Sequence, residues 1–192
     1  ESYGGVAVNR NGESPYNVKA VIEADFSVAS PVAKVKVYDH DLTTVLVDKE
    51  VSLADFTSIK EIVLKNWSTN GTENFERPVS MSFTVEQVVP ASEEPEEPET
   101  TTTEVIYTST SYTSGGDGTP VVLYASSNAP LGANGEKYII TYQAQYRTNQ
   151  PGYTFRMRNM ATNKDTTMYE KDDYTESYGG VAVNRNGESP YN

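Results

Sequence analysis

The sequence predicts an all-β protein, a jelly-roll-like β-sandwich of about ten to twelve short strands with no significant helix. Three observations predict it. Most patterned segments place apolar side chains at every second position, the period of a strand with one buried face. These segments are short and are punctuated by Gly, Pro, Asn and Asp, the residues that turn a chain. Hydrophobic residues make up 36% of the 192 and aromatics 10%, which is enough apolar material for a real core.

Residues 3–9 (YGGVAVN) read as a short strand, closed by the turn residues Asn11, Gly12, Ser14 and Pro15. From Asn17 to Val28, Val18, Ala20, Ile22, Ala24 and Phe26 share one face, against Lys19, Glu23 and Asp25, until Ser30-Pro31 closes the strand. Ala33, Val35 and Val37 then alternate with Lys34, Lys36 and Tyr38. Past the polar turn Asp39-His40-Asp41, Thr43 to Val47 is a β-branched run, and Val51 to Phe56 continues apolar. Residues 59–66 (IKEIVLKN) fit a helix or a strand, because Ile59, Ile62 and Val63 also share a helical spacing; shortness and β-rich surroundings favour strand. Val79, Met81, Phe83 and Val85 alternate cleanly with Ser80, Ser82, Thr84 and Glu86.

Strand signals resume at Val105 to Thr113, rich in Thr, Tyr and Ser, and are broken by Gly115-Gly116-Asp117-Gly118. Residues 120–126 form a short strand, and Asn128 to Gly135 a turn-rich loop. Over residues 137–147, Tyr138, Ile140, Tyr142, Ala144 and Tyr146 face one way, opposite Lys137, Thr141, Gln143, Gln145 and Arg147. Tyr153, Phe155 and Met157 oppose Thr154, Arg156 and Arg158, and a last strand lies near 166–170.

One feature is not local. Residues 1–17, ESYGGVAVNRNGESPYN, return letter for letter as residues 176–192. Identity over such a length points to one full period of a tandem array followed by the start of the next copy. A second break in composition lies at residues 91–103, where prolines, five glutamates and a threonine run replace every large apolar side chain. Such a segment reads as an extended linker; its alternative is a long acidic loop inside one domain. With one linker per period, residues 1–90 are expected to be the second part of one sandwich and residues 104–192 the first part of the next. A rival division makes 1–90 an immunoglobulin-like domain and 104–175 a second small sandwich.

Two copies of one segment cannot fill the same slot of one sandwich. One of them is therefore expected to be unpaired or to pair with another molecule, which makes Tyr3, Val6, Val8, Tyr178, Val181 and Val183 candidates for an inter-subunit strand.

The formal net charge of −12, with no cluster of Lys or Arg, argues against nucleic acid and against anionic membranes as partners. The absence of cysteine excludes disulfides, thiolate metal sites and thiol catalysis. No apolar run has the length of a membrane span and no signal peptide is visible, so membrane insertion by this segment is not expected. The only histidine, His40, reads as part of a polar turn rather than as a ligand or base, and no nucleophile motif accompanies it. No cofactor is expected; a structural calcium has candidate ligands in Glu170, Asp172 and Asp173, in Asp117, and in Asp39 with Asp41. The glycine loop lacks the helix and the Lys-Ser/Thr of a phosphate cradle. Lys34 or Lys36 is a candidate donor for an amide cross-link to an asparagine. Fourteen tyrosines beside a single tryptophan raise sugar stacking as an activity, while the strict alternation of Tyr138, Tyr142, Tyr146 and Tyr153 with polar residues favours packing.

Taken together, an exact repeat, an all-β pattern and acidic Pro/Thr spacing resemble the tandem β-sandwich repeats of microbial surface fibres and adhesin stalks. The resemblance implies a non-catalytic structural repeat, extracellular or at the cell surface, assembling end to end with other copies and in part by strand exchange. The alternative is a carbohydrate-binding β-sandwich module, repeated for avidity toward glycans. No enzyme activity is expected.

Overall fold

In the computed structural model the chain is all-β, with ten strands in two antiparallel sheets and no helix among the described residues. Those residues are 16–67, 78–89, 102–111, 120–125, 129–146, 152–171, 175–178 and 181–184. The six-stranded sheet contains β1 (Tyr16–Asp25), β2 (Val32–Tyr38), β3 (Val45–Ser52), β5 (Pro78–Val89), β6 (Thr102–Ser109) and β8 (Lys137–Tyr146), in the order β3-β2-β1-β8-β5-β6. The four-stranded sheet contains β4 (Ile59–Trp67), β7 (Pro120–Ala125), β9 (Gly152–Asn159) and β10 (Asp165–Lys171), in the order β10-β9-β4-β7. A separate two-stranded ribbon pairs β11 (Thr175–Tyr178) with β12 (Val181–Asn184). The two sheets share one buried core, a sandwich-like arrangement; the strand order does not establish the jelly-roll connectivity that the sequence suggested.

The period-two pattern decides which face goes in. Val18, Ala20, Ile22 and Ala24 of β1 and Tyr138, Ile140, Tyr142, Ala144 and Tyr146 of β8 are all buried. Register then matches large to small: Ala20 lies opposite Tyr142, Ala24 opposite Tyr138, and Ala144 opposite Val18. An alanine beside each ring leaves the volume that ring needs, so the layer fills at interior density. Residues 59–66, open to both readings, form strand β4, whose Ile59, Ile62 and Leu64 are fully buried.

Rings close the space between the sheets. Phe155 of β9 sits 6.4 Å from Phe83 of β5 and 5.9 Å from Tyr142 of β8, centroid to centroid. Tyr107 of β6 meets Tyr124 of β7 edge to face at 5.1 Å. One departure from alternation is in β10, where a register shift between Thr167 and Tyr169 turns both Met168 and Tyr169 inward.

One end of the sandwich is sealed by the loop before β8. Leu131 bridges to Ile59, and Phe26 donates its backbone N–H to the Glu136 carbonyl at 3.1 Å. Gly132 has φ +89° and stands against the Phe26 ring, where a Cβ would come within 2.5 Å of the ring carbons. Only glycine combines that backbone with that approach.

Residues 1–90 and 104–175, expected to lie in different domains, interleave in one sandwich. β4, from the first segment, pairs only with β7 and β9 from the second. β8, from the second, lies between β1 and β5 from the first. Across the acidic segment Val89 pairs with Thr102, and Thr102 and Thr103 are already strand, so the chain leaves and rejoins the same sheet. In this chain the two ends of the acidic segment therefore lie side by side at one sheet end.

Candidate functional site

The arrangement with functional consequences is the end of the sandwich where the chain arrives and departs. β1 begins at Tyr16 opposite Tyr146, the last residue of β8. β10 ends at Lys171 opposite Tyr153, near the start of β9. At the other end, Ile59 and Asn159 of one sheet meet the Phe26 and Leu131 region beside Asp25 and Lys137 of the other. The sheets are therefore aligned so that Tyr16 and Lys171 emerge together, and Val89 and Thr102 emerge together at the opposite end. A ten-residue strand separates the two ends by about 33 Å.

The arriving strand is held at its first residues. Asn17 donates its backbone N–H to Nδ1 of His40 at 2.9 Å and its side-chain amide to the His40 carbonyl at 3.2 Å. Gln145 donates to the Asn17 side-chain oxygen at 3.2 Å. Nδ1 accepts only while it carries no proton, so this contact needs neutral His40 protonated on Nε2. The turn that presents His40 is fixed by its own carboxylates. Asp39 accepts the His40 N–H at 2.7 Å; Asp41 accepts the N–H groups of Thr43 and Thr44 and the Thr44 hydroxyl. Hydrogen bonds from Thr44 and Thr43 hold the Asp41 carboxyl well below the usual carboxylate range.

These contacts decide the fate of several candidate residues. Asp39 and Asp41 serve as turn acceptors. Glu170 lies in β10 opposite Thr154, while Asp117, Asp172 and Asp173 lie outside the described residues. Among the described residues no three acidic or histidine groups converge on a metal position. His40 works as a strand anchor. Lys34 is exposed, opposite Glu23 and Glu50, and Lys36 is half-buried, opposite Val21 and Asp48, so neither cross-link candidate is fully buried. Tyr138, Tyr142 and Tyr146 are core residues, the last two joined hydroxyl to hydroxyl at 2.8 Å. The Tyr153 side chain and the glycine loop 115–118 lie outside the described residues.

The outer faces carry charged pairs. Arg158 pairs with Asp165 at 2.7 Å and with Glu61 at 2.5 Å, and the hydrogen bond it donates to Asp165 together with both carboxylates raises its pKa against the effect of burial. Lys137 pairs with Asp25 at 3.0 Å. Burial works to raise the Asp25 pKa, but hydrogen bonds from Ser27 and Lys137 outweigh it and lower it.

Among the described residues four strands form the edges of the two main sheets. β3 carries Asp48, Lys49 and Glu50, β10 carries charges and a bulge, and β7 is short. β6 exposes Val105 and Ile106, with a register shift there against Val85 and Glu86. Charge, brevity and bulges all discourage strand addition. Of the inter-subunit strand candidates, Tyr178 pairs with Val181 and Val183 with Glu176 inside the β11–β12 ribbon, while Tyr3, Val6 and Val8 lie outside the described residues. Among the described residues the repeated block enters a main sheet only through Tyr16 and Asn17. The shared end and the anchoring role of His40 had no signal in the sequence, since both depend on strand order. No protein-family model, curated protein or solved structure matches this chain.

Proposed function

We propose that the chain is a non-catalytic structural repeat of an extracellular or cell-surface fibre, built from tandem sandwiches. The observation that carries this reading is the identity of residues 1–17 and 176–192, which flank a sandwich running from Tyr16 to Lys171. The sandwich and the stretch 172–190 together make one period, so the block falls where one unit would hand over to the next.

Because the chain arrives and departs at one end, units in series hang from their connectors and extend sideways from the line of the chain. Array length is then set by the connectors, and the far ends, where Val89 and Thr102 emerge, point outward. This modifies the expectation of end-to-end stacking. The carbohydrate-binding alternative needs exposed tyrosines, and Tyr138, Tyr142 and Tyr146, the three described side chains among those expected to pack, are in the core.

The test is the native polypeptide itself. Its intact mass and peptide map are expected to show several periods of 175 residues, and micrographs a string of globular units. A native chain holding one period would end the proposal.

A further inference from the structure

Building on the tandem reading, we infer that the second half of each sandwich has two partners of equal fit: the first half of its own copy and the first half of the copy that follows.

The geometry requires two conditions, and both are met. First, the halves complement each other. Residues 16–89 leave a gap between β1 and β5 that β8 fills, and residues 102–171 leave a gap between β9 and β7 that β4 fills. Each half alone buries its faces poorly, and each recognises the other through a full set of backbone ladders and a shared core.

Second, either linker can close the same sandwich. Residues 90–101, twelve in number, join Val89 to Thr102, which lie opposite each other at one end. Residues 172–190, nineteen in number, run from Lys171 to Tyr191, the counterpart of Tyr16, and those two attachment points share the other end. β10 packs near β2, next to β1, so the gap to be spanned is on the order of 10–20 Å, set by the spacing between sheets and between strands. Nineteen residues cover that distance even with the β11–β12 ribbon folded within them. Every contact in the sandwich is the same in both closures; only the loop that joins the halves differs. For flexible loops, closing nineteen residues instead of twelve disfavours the second register by about twofold.

A tandem chain is therefore a line of alternating halves that can pair in either direction. In one register the acidic segment is a pendant loop and the repeated block connects units; in the other the roles exchange. Where the terminal halves of a chain are left over, they are matching partners for the leftover halves of another chain, which provides lengthwise assembly without a new interface.

The experiment is a competition in one polypeptide. Residues 96–175 are placed ahead of the full 192-residue chain, so that one first half faces an upstream and a downstream second half. The protein has no cysteine, so Lys19→Cys combined with Gln143→Cys in one or the other second half reports pairing directly. Lys19 and Gln143 are opposite residues of β1 and β8, and facing positions suit a disulfide. Both chains are expected to cross-link under equilibrating conditions, the upstream one to about half the extent of the downstream one. Cross-linking confined to the downstream partner overturns the inference. As a second measurement, residues 96–192 followed by 18–95 contain each strand once in the permuted order. This chain is expected to be a monomer that unfolds cooperatively within a few degrees of the natural order, and an unfolded product overturns the inference. Neither result depends on how many copies the native polypeptide holds, which its mass measures separately.

Discussion

Replacing Phe155 by alanine tests whether the two halves form one cooperative unit. Phe155 is 1% exposed and belongs to the second half, yet its nearest rings are Phe83 from the first half and Tyr142 from the strand inserted into it. Removing a buried phenylalanine ring costs about 3–5 kcal/mol in transfer and cavity terms. That is a large share of the roughly 5–15 kcal/mol that holds a domain together. For a sandwich of this size it lowers the melting temperature by about 6 to 20 °C. The assay is urea unfolding combined with amide exchange. Because β4 is paired only with second-half strands and β8 only with first-half strands, protection in β1 and in β9 should fall by the same factor, with an unchanged dependence on urea. Persistent protection of residues 16–89 while 102–171 exchange freely would refute the single-unit description.

Other perturbations address particular supports. Gly132→Ala places a methyl group within 2.5 Å of the Phe26 ring on a backbone at φ +89°, and should cost about 2–5 kcal/mol by denaturation, from strain and overpacking together. His40→Phe removes the Nδ1 acceptor of the Asn17 N–H, so that amide should exchange faster and stability drop by about 1–2 kcal/mol, with β5 and β6 unaffected in local exchange. Acidification should destabilise the fold through Asp25, Asp41 and Glu136, whose folded pKa values all lie below their ordinary ones. A depressed carboxylate contributes stability above its unfolded pKa and loses it as pH falls through the folded value. Stability measured by urea unfolding should therefore decline from about pH 4 downward, and Asp41→Asn should flatten that decline.

What was legible in the sequence was local. Alternation over Asn17 to Phe26 and over Lys137 to Arg147 named the inward residues of β1 and β8 one by one, because a half-buried strand writes its environment at every second position. Alternation also correctly sent Tyr138, Tyr142 and Tyr146 to the core. For the strand near 166–170 it named no inward set, and one bulge in β10 turns Met168 and Tyr169 the same way, since an inserted residue shifts the period without changing composition. The pairing of the two halves within this chain was not legible for a different reason. Residues 91–103 have the composition of a spacer, and composition reports whether a segment can bury itself, not whether its two ends lie side by side. Here they do, at Val89 and Thr102, and that fact resides in the pairing of β5 with β6. The D-H-D triplet was legible as a turn, but the use of Nδ1 to hold Asn17, 23 residues earlier, was not, because it depends on β1 lying beside β2.

The positions of the chain termini of the sandwich bear on mechanics as well as topology. A unit pulled through opposite ends is sheared along its strands, and all ladder hydrogen bonds of the loaded pair resist at once. A unit pulled through Tyr16 and Lys171, which share an end, is instead peeled open, beginning with the Asn17 contacts to His40 and the outermost pairs of β10 with β9. Those contacts break in sequence, each worth on the order of 1 kcal/mol. On the tandem reading, tension would release β10 first, an edge strand held only by β9, whereas β1 is paired on both sides, by β2 and β8, and its release would divide the six-stranded sheet. In the permuted register the load enters at Val89 and Thr102 and peels β5 from β6 instead. If the tandem reading holds, a fibre made from such units would draw its reach from connectors and peeled strands rather than from the 33 Å or so of each sandwich.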